Sequence, residues 1–147
     1  MKSTAVTSTQ TIMNNTDKQA IDKLTQDFWG IFYNKNGATP NWQIIEELCI
    51  AEVLIIKKIK TQQEVYNLES FITPRKKILS DGTLLEFEEK EIEEETHIIG
   101  NIAQRATKYT KEGLLNGEYF QQNGHKLFQY IKTEKGWQIS AVVWEDE

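Results

Sequence analysis

The sequence has one cysteine, Cys49, which excludes an internal disulfide and a thiolate metal cluster. Its two histidines, His97 and His125, are too few for a three-histidine zinc site. No apolar run approaches the roughly 18 residues of a membrane span, so no membrane partner is expected. There is no phosphate-cradling loop, no Gly-x-Gly-x-x-Gly, no Gly-x-Ser-x-Gly and no paired Cys motif. A nucleotide cofactor is therefore not expected, and the reading assigns no cofactor and no metal. The first sixteen residues, mostly Thr, Ser and Asn, lack the apolar core of a signal peptide, which points to a cytoplasmic protein.

What is present is a soluble globular composition: 39% hydrophobic, 10% aromatic and 27% charged over 147 residues, the length of one ordinary domain. The net charge is 17 − 22 = −5. Glu86–Glu95 alone carries seven Glu and one Lys, a net of −6, so the other 137 residues sum to +1. The chain has one acidic segment rather than general acidity. The basic clusters, Lys57-Lys58 with Lys60 and Arg75-Lys76-Lys77, are too short to replace the counterions of a duplex, so no nucleic-acid partner is expected.

Residues 1–16 read as a loose tail, followed by one domain over 17–147. Thr16 with Gln19 has the form of a capping box. Ile21, Leu24, Phe28 and Ile31 then repeat at helical spacing and predict a helix from about Asp17 to Tyr33, ended by Asn34-Lys35-Asn36-Gly37. Pro40 and Asn41 open a short second helix through Trp42, Ile45 and Leu48. Val53–Ile59 reads as a strand. Thr61 is placed as the cap of a third helix carrying Val65, Leu68, Phe71, Ile72, Ile78 and Leu79, with Pro74 expected to kink or interrupt it. From Thr83 alternation takes over, with strands at about Leu84–Glu93, Thr96–Thr110, Glu118–Thr133 and Trp137–Glu145. Asn123-Gly124 is a hairpin signal that splits the third of these. Early helices and late strands indicate an α+β domain, a curved antiparallel sheet wrapped around N-terminal helices. A cone of this kind has a concave interior, the default place for a ligand.

Phe71-Ile72-Thr73-Pro74-Arg75 precedes Asp81-Gly82-Thr83; Gly100, Ala103, Arg105 and Tyr109 follow; the chain closes with Gly136-Trp137-Gln138-Ile139-Ser140 and Trp144-Glu145-Asp146-Glu147. This arrangement resembles the nuclear transport factor 2-like superfamily, including its SnoaL-like and uncharacterised bacterial members, over roughly residues 17–147. The resemblance implies a cone-shaped α+β fold, commonly dimeric through the outer face of the sheet. It implies no single activity, since isomerases, cyclases, dehydratases and non-catalytic modules share the fold.

Alternation along Thr96–Thr110 puts His97, Ile99, Asn101, Ala103, Arg105, Thr107 and Tyr109 on one face, taken as the cavity side. Arg105 is the first candidate ligand anchor, because its planar fork suits a carboxylate or phosphate. If buried it must be paired, with Glu91 or Glu89 as partner; the same pair is also compatible with a purely structural role. Most of the Glu run must be solvated, but Glu91 or Glu89 inside the cone has the chemistry of a general acid or base, and His97 is its candidate partner. The catalytic candidates are thus Glu91 and His97. Tyr109, Tyr33, Trp29, Phe71, Glu89 and Trp144 are candidate ligand contacts beside Arg105. Gln129 joins them if it faces inward with Leu127 and Ile131, which sends Phe128 and Tyr130 toward a dimer partner. Cys49 has no activating neighbour in sequence and reads as a buried thiol.

Two functions follow. One is a small-molecule pocket around Arg105, with a cofactor-free isomerase, cyclase or dehydratase as its enzymatic form. The other is a non-catalytic homodimeric interaction module whose cavity is closed by its own side chains. An open polar cavity separates the first from the second.

Overall fold

The computed structural model describes the backbone from Thr4 to Glu147 and the side chains from Thr16 onward. Helix α1 runs Thr4–Gly30, so Thr16 lies inside it and is not its cap. The tail expected over residues 1–16 falls outside the described residues at positions 1–3 and is helical from Thr4. Single 3-10 turns follow at Lys35–Gly37 and Trp42–Ile44, the second leading into the one-turn helix α2, Ile45–Leu48. Strand β1 (Cys49–Ile59) begins four residues ahead of the expected Val53.

The segment read as the start of the third helix is a strand, β2 (Gln62–Tyr66), paired antiparallel with β1 from Ile55↔Tyr66 to Ile59↔Gln62. Thr61 therefore lies in a hairpin turn. Helix α3 is Leu68–Ser80, and its cap is Asn67. The Asn67 side chain accepts from Ser70 N at 2.8 Å, and Asn67 N donates to Ser70 Oγ at 3.0 Å, a reciprocal box that fits the first turn. Pro74 does not interrupt α3. The carbonyl it leaves without a helical donor belongs to exposed Ser70, where water can serve.

Four long strands complete the chain: β3 (Leu84–Ile99), β4 (Ile102–Leu115), β5 (Glu118–Thr133) and β6 (Gly136–Asp146). The sheet order is β2-β1-β6-β5-β4-β3, antiparallel throughout except for the β1–β6 pair. The strand expected over Thr96–Thr110 is a hairpin that turns at Gly100-Asn101. The β4–β5 turn is Asn116-Gly117, both at positive φ (53° and 84°), as a two-residue hairpin with this twist requires. Asn123-Gly124 lies within a continuous β5. Its glycine has another cause: a Cβ there would sit 2.6 Å from Tyr109 Oη and 2.7 Å from the Glu145 carbonyl. The Tyr109 ring occupies the space that a side chain at 124 would need.

The sheet closes over α1. Phe28 and Trp29 from α1, with Ile31 and Phe32 in the turn that follows it, pack against Phe71, Tyr109, Phe128, Tyr130 and Trp144, all nearly or fully buried. Phe28, Phe128 and Trp29 meet edge to face at 5.6–6.4 Å, and Phe71 joins Phe32 and Trp144 in the same manner at 5.9 and 5.7 Å. Asn34 stitches the closure together. Its Nδ2 donates to the Leu79 and Leu84 carbonyls at 3.2 and 2.8 Å, and its Oδ1 accepts from Phe87 N at 2.8 Å. One buried amide thus ties the end of α1 to the end of α3 and the start of β3.

Candidate functional site

Two breaks in pairing decide which acidic side chains enter the cone. The β3–β4 register shifts between Leu85 and Glu88, where Glu86 takes a positive φ, and again between Glu91 and Glu93. The second shift adds one residue, Ile92, and changes the phase of the strand. Glu89 and Glu91 turn inward on one side of it, with side chains 11% and 17% exposed, while Glu94 and Thr96 turn inward on the other. Strict alternation would group Glu93 and Glu95 with Glu91; the bulge puts them on the other face.

Arg105 is inward and 4% exposed, and it is saturated. Its Nε and Nη2 grip Glu91 at 3.1 and 2.5 Å; its Nη1 donates to Asp22 at 2.6 Å and Thr96 Oγ1 at 3.2 Å. Four of its five N–H donors are used, so no fork is left for a ligand. Lys18 extends the network to Asp22 and Glu94, both at 2.9 Å. Burial pushes the Asp22 carboxyl up, but Arg105 and Lys18 outweigh it and hold the group below its usual range. Glu94 is lowered in the same way, by Thr96 and Lys18 against its own burial.

His97 does not join this group. It lies on the outer face of β3 with a 57% exposed side chain, its ring 3.6 Å from Glu95. The hairpin at Gly100-Asn101 breaks the alternation that had placed it beside Arg105. Gln129 also faces outward, with Leu127, while Phe128 and Tyr130 are inside at 0% and 1% exposure. The expected orientation is thus reversed. The register gives the reason: Arg105 pairs with Phe128 and Ala103 with Tyr130, so each pair shares a face. Tyr33 stands just beyond α1, half-buried. Trp29, Phe71, Tyr109 and Trp144 are interior, as expected. Cys49 is buried, which pushes its thiol up to about 12 and leaves it unreactive.

A second polar cluster was not visible in the sequence. Lys126 enters the interior from β5 and is 4% exposed. Its Nζ makes no hydrogen bond among the described residues; the Glu89 Oε2 is 3.9 Å away. Aromatic faces surround it, with ring centroids at 4.4 Å (Trp29), 5.0 Å (Tyr109), 5.2 Å (Trp144) and 5.8 Å (Phe28). Burial lowers its pKa, against the pull of Glu89. Trp29 Nε1 is buried and has no partner among the described residues. Beside them Tyr109 donates to Asp146 through a short hydrogen bond, and Asp146 also takes Lys111 at 3.0 Å and Lys57 at 3.7 Å. Arg75 lies over Phe71 at 4.0 Å, with Tyr66 and Trp144 at 5.3 and 5.7 Å. Alternation on β5 held the clue: Lys126, Phe128 and Tyr130 share one face.

Three concavities lie outside the cone interior, one of them, of about 630 Å³, between Pro40–Glu46 and the Ile72 and Lys76 side of α3. A groove of about 840 Å³ runs between α2, the start of β1, α3 and the β5–β6 turn, with Cys49 and Gln138 in its lining. It includes none of the expected site residues. A smaller one of about 300 Å³ lies at the sheet, lined by His97, Ile99, Ile102, Gln104, Gln129 and Ile131 among others.

The outer face around this smaller concavity is largely aliphatic, with Gln104 and Gln129 at its middle. Ala106, Leu127, Val143 and Ile56 form one row across β4, β5, β6 and β1; Gln104, Gln129, Ala141 and Leu54 form the next; Ile102 and Ile131 a third. Ile99 is 74% exposed, Ile102 57%, Leu127 55% and Leu54 45%. Along one margin Lys108, His125, Glu145 and Lys58 make a polar row. Among the described residues no helix is long and apolar enough to cross a membrane, and no cluster of His, Cys, Asp and Glu could hold a metal ion.

No protein-family model matches the sequence, and no curated protein does. Solved structures match it by shape. A conserved protein from Planctomyces limnophilus superposes with a TM-score of 0.74 at 15% identity, covering 90% of this chain and 98% of that one. A nuclear transport factor 2-like superfamily protein from Salmonella enterica gives 0.70 at 17%, covering 89% and 91%. The association domain of C. elegans CaMKII gives 0.65 at 16%, covering 88% and 95%. At such identities the likeness is one of fold, and the fold is nuclear transport factor 2-like.

Proposed function

We propose that this chain is a homotypic association module, which dimerises by laying the outer faces of two sheets together. The observation that carries the reading is the run of exposed aliphatic side chains across four adjacent strands. Four strands about 4.8 Å apart and three rows about 7 Å apart each span about 14 Å, so with side-chain width added the patch is roughly 20 by 20 Å, or about 400 Å². Patches of this size on a soluble chain mark interaction sites. Two of them together with their polar margins bury about 1,000 Å², the low end of what a specific interface needs. A sheet face meeting a copy of itself is self-complementary by symmetry. The polar row Lys108, His125, Glu145 and Lys58 fits the rim of such an interface. The association domain of C. elegans CaMKII, which has this fold, supports an associating role.

Saturation of Arg105 and the aromatic filling of the cone weigh against a pocket built on Arg105. Sedimentation equilibrium tests the proposal. The expected mass is twice 17.1 kDa. Leu127→Glu and Ile102→Glu bury a carboxylate at the interface and should each give a folded monomer with an unchanged circular dichroism spectrum. A wild-type chain that stays monomeric up to about 100 μM overturns the reading, as does a Leu127→Glu chain that remains dimeric.

A further inference from the structure

The start of β1 is a strand without a neighbour. Its ladder with β6 passes from Cys49↔Ile139 directly to Leu54↔Ala141, and its ladder with β2 begins only at Ile55↔Tyr66. Five residue steps on β1 thus face two on β6, and the strand bows away from it. Ile50, Ala51, Glu52 and Val53 are extended and have no strand partner on either side. The carbonyls just before them are served by a side chain: Gln138 Nε2 donates to Glu47 O at 3.1 Å and to Cys49 O at 3.5 Å. Among the described residues no side chain does the same for Ile50–Val53. Ala51 and Glu52 are exposed, so water serves this backbone. Unpaired extended backbone is a template for another strand.

Ile50 and Ala51 line the groove of about 840 Å³. Its opposite wall is one face of α3, on which Leu68, Ile72 and Lys76 recur at helical spacing. The two walls match in length. Four extended residues span about 13 Å, and Leu68 to Lys76 span about 12 Å at the helical rise. Ile45, Ile50, Leu68 and Ile72 make the surface between them apolar. The rim is charged, with Glu46, Glu69 and Glu134 against Lys76 and Lys135, and with Glu47 and Glu52 adjoining in sequence. That is five carboxylates and two ammonium groups, and none of them makes an ion pair among the described residues. On β3, by contrast, Glu88, Glu89, Glu91 and Glu94 each face a cation of this chain. The negative charge left without a partner gathers around the groove.

We propose that this groove docks an extended peptide of alternating aliphatic and basic residues, which adds to β1 along Ile50–Val53 as a short strand. This goes beyond the association module and does not depend on it, since no residue lining the groove belongs to the aliphatic rows of the outer face. Alternate side chains of a strand point to opposite faces, so one set lies on Ile45, Leu68 and Ile72 while the other reaches the rim carboxylates. The excess of carboxylates selects a basic peptide over an acidic one. A helical partner is disfavoured, because a helix satisfies its own backbone and leaves that of Ile50–Val53 unused.

The probe is a fluorescein-labelled hexapeptide, Lys-Val-Lys-Val-Lys-Val, titrated into the full chain and followed by anisotropy. Saturable binding is expected, and a Glu-Val repeat of the same length should not bind. In such a strand the Val N–H groups face one edge and the Lys N–H groups the other. Methylating the Val amides in one peptide and the Lys amides in another therefore blocks one edge at a time. One of the two should bind roughly tenfold more weakly than the other, a difference that charge and side-chain contacts alone do not produce. The double variant Glu46→Lys with Glu134→Lys changes two exposed positions and should also weaken binding roughly tenfold or more. Glu118→Lys, at the other end of β5, should not. Bound peptide should slow amide exchange within Ile50–Val53. Leu127→Glu, which breaks the association, should leave peptide binding unchanged, so the two readings fail separately. The proposal is overturned by no binding at about 1 mM peptide, by equal affinities of the two methylated peptides, or by full affinity in the double variant. Unchanged exchange within Ile50–Val53 at saturation overturns it as well.

Discussion

Replacing Arg105 by Met separates a structural ion pair from a ligand anchor by magnitude. The side chains are similar in length, so little packing is lost, but Glu91 is left 17% exposed without its cation. Breaking a buried pair by removing one partner costs about 3–5 kcal/mol. At this chain length that corresponds to a Tm fall of roughly 8–15 °C. Asp22 and Glu94 add less because they are more exposed. The double variant Arg105→Met with Glu91→Leu removes both buried charges and should recover most of the loss, since apolar replacements of buried pairs are often neutral or better. The pH dependence gives a second readout. Asp22 and Glu94 are held below their ordinary pKa in the folded chain, so their contribution is present above about pH 4 and is lost as pH falls through the folded values. Without Arg105 that acid-side slope should flatten. Urea unfolding across pH 2–7 measures both effects. A loss below about 1 kcal/mol for Arg105→Met, or a double variant no more stable than the single, refutes the assignment of Arg105 to the framework.

Gly124→Ala should lose about 1–3 kcal/mol in urea unfolding, because its Cβ would meet Tyr109 Oη and the Glu145 carbonyl below 3 Å. Stability equal to wild type would mean that Tyr109 is not held as described. Asn34→Ala should lose about 2–4 kcal/mol, since it leaves the Leu79 and Leu84 carbonyls and the Phe87 N–H without partners. Tyr109 and Tyr130 are raised above the usual phenol range, first by burial. Their contribution to stability is therefore present below about pH 10 and is lost as pH rises above it. Absorbance titration should find these two phenols protonated until the chain unfolds.

The order of elements was legible because helical spacing and strand alternation are local properties. Ile21, Leu24 and Phe28 mark α1, with Ile31 one residue past its end, and the late strands alternate over many residues. The errors arose where a tertiary partner overrides a local signal. Asn123-Gly124 has the composition of a turn, but Gly124 is there to admit the Tyr109 ring, while the real turn is Asn116-Gly117. Gln62–Tyr66 is polar enough to read as part of a helix and is a strand because β1 offers it an edge. The bulge at Ile92 changes the phase of β3, and nothing in a run of glutamates marks such a shift. The Arg105–Glu91 pair was legible because a buried arginine requires a carboxylate and the neighbouring strand has several.

Lys126 was not legible for the converse reason. Lysines at strand positions are ordinarily solvated, and only the inward register of Phe128 and Tyr130 on β5 shows that this one is not. The two buried cations of the cone then part company on a single criterion. Arg105 spends its donors within the chain and so contributes to holding α1, β3 and β4 together. Lys126 has the same burial, no hydrogen-bond acceptor among the described residues and a carboxylate only at 3.9 Å. Glu89 and the faces of Trp29, Tyr109 and Trp144 are what offset its burial. The sequence signature of such a residue is a lysine in register with inward aromatics, as Lys126 is with Phe128 and Tyr130, and it becomes readable only once the facing of β5 is known.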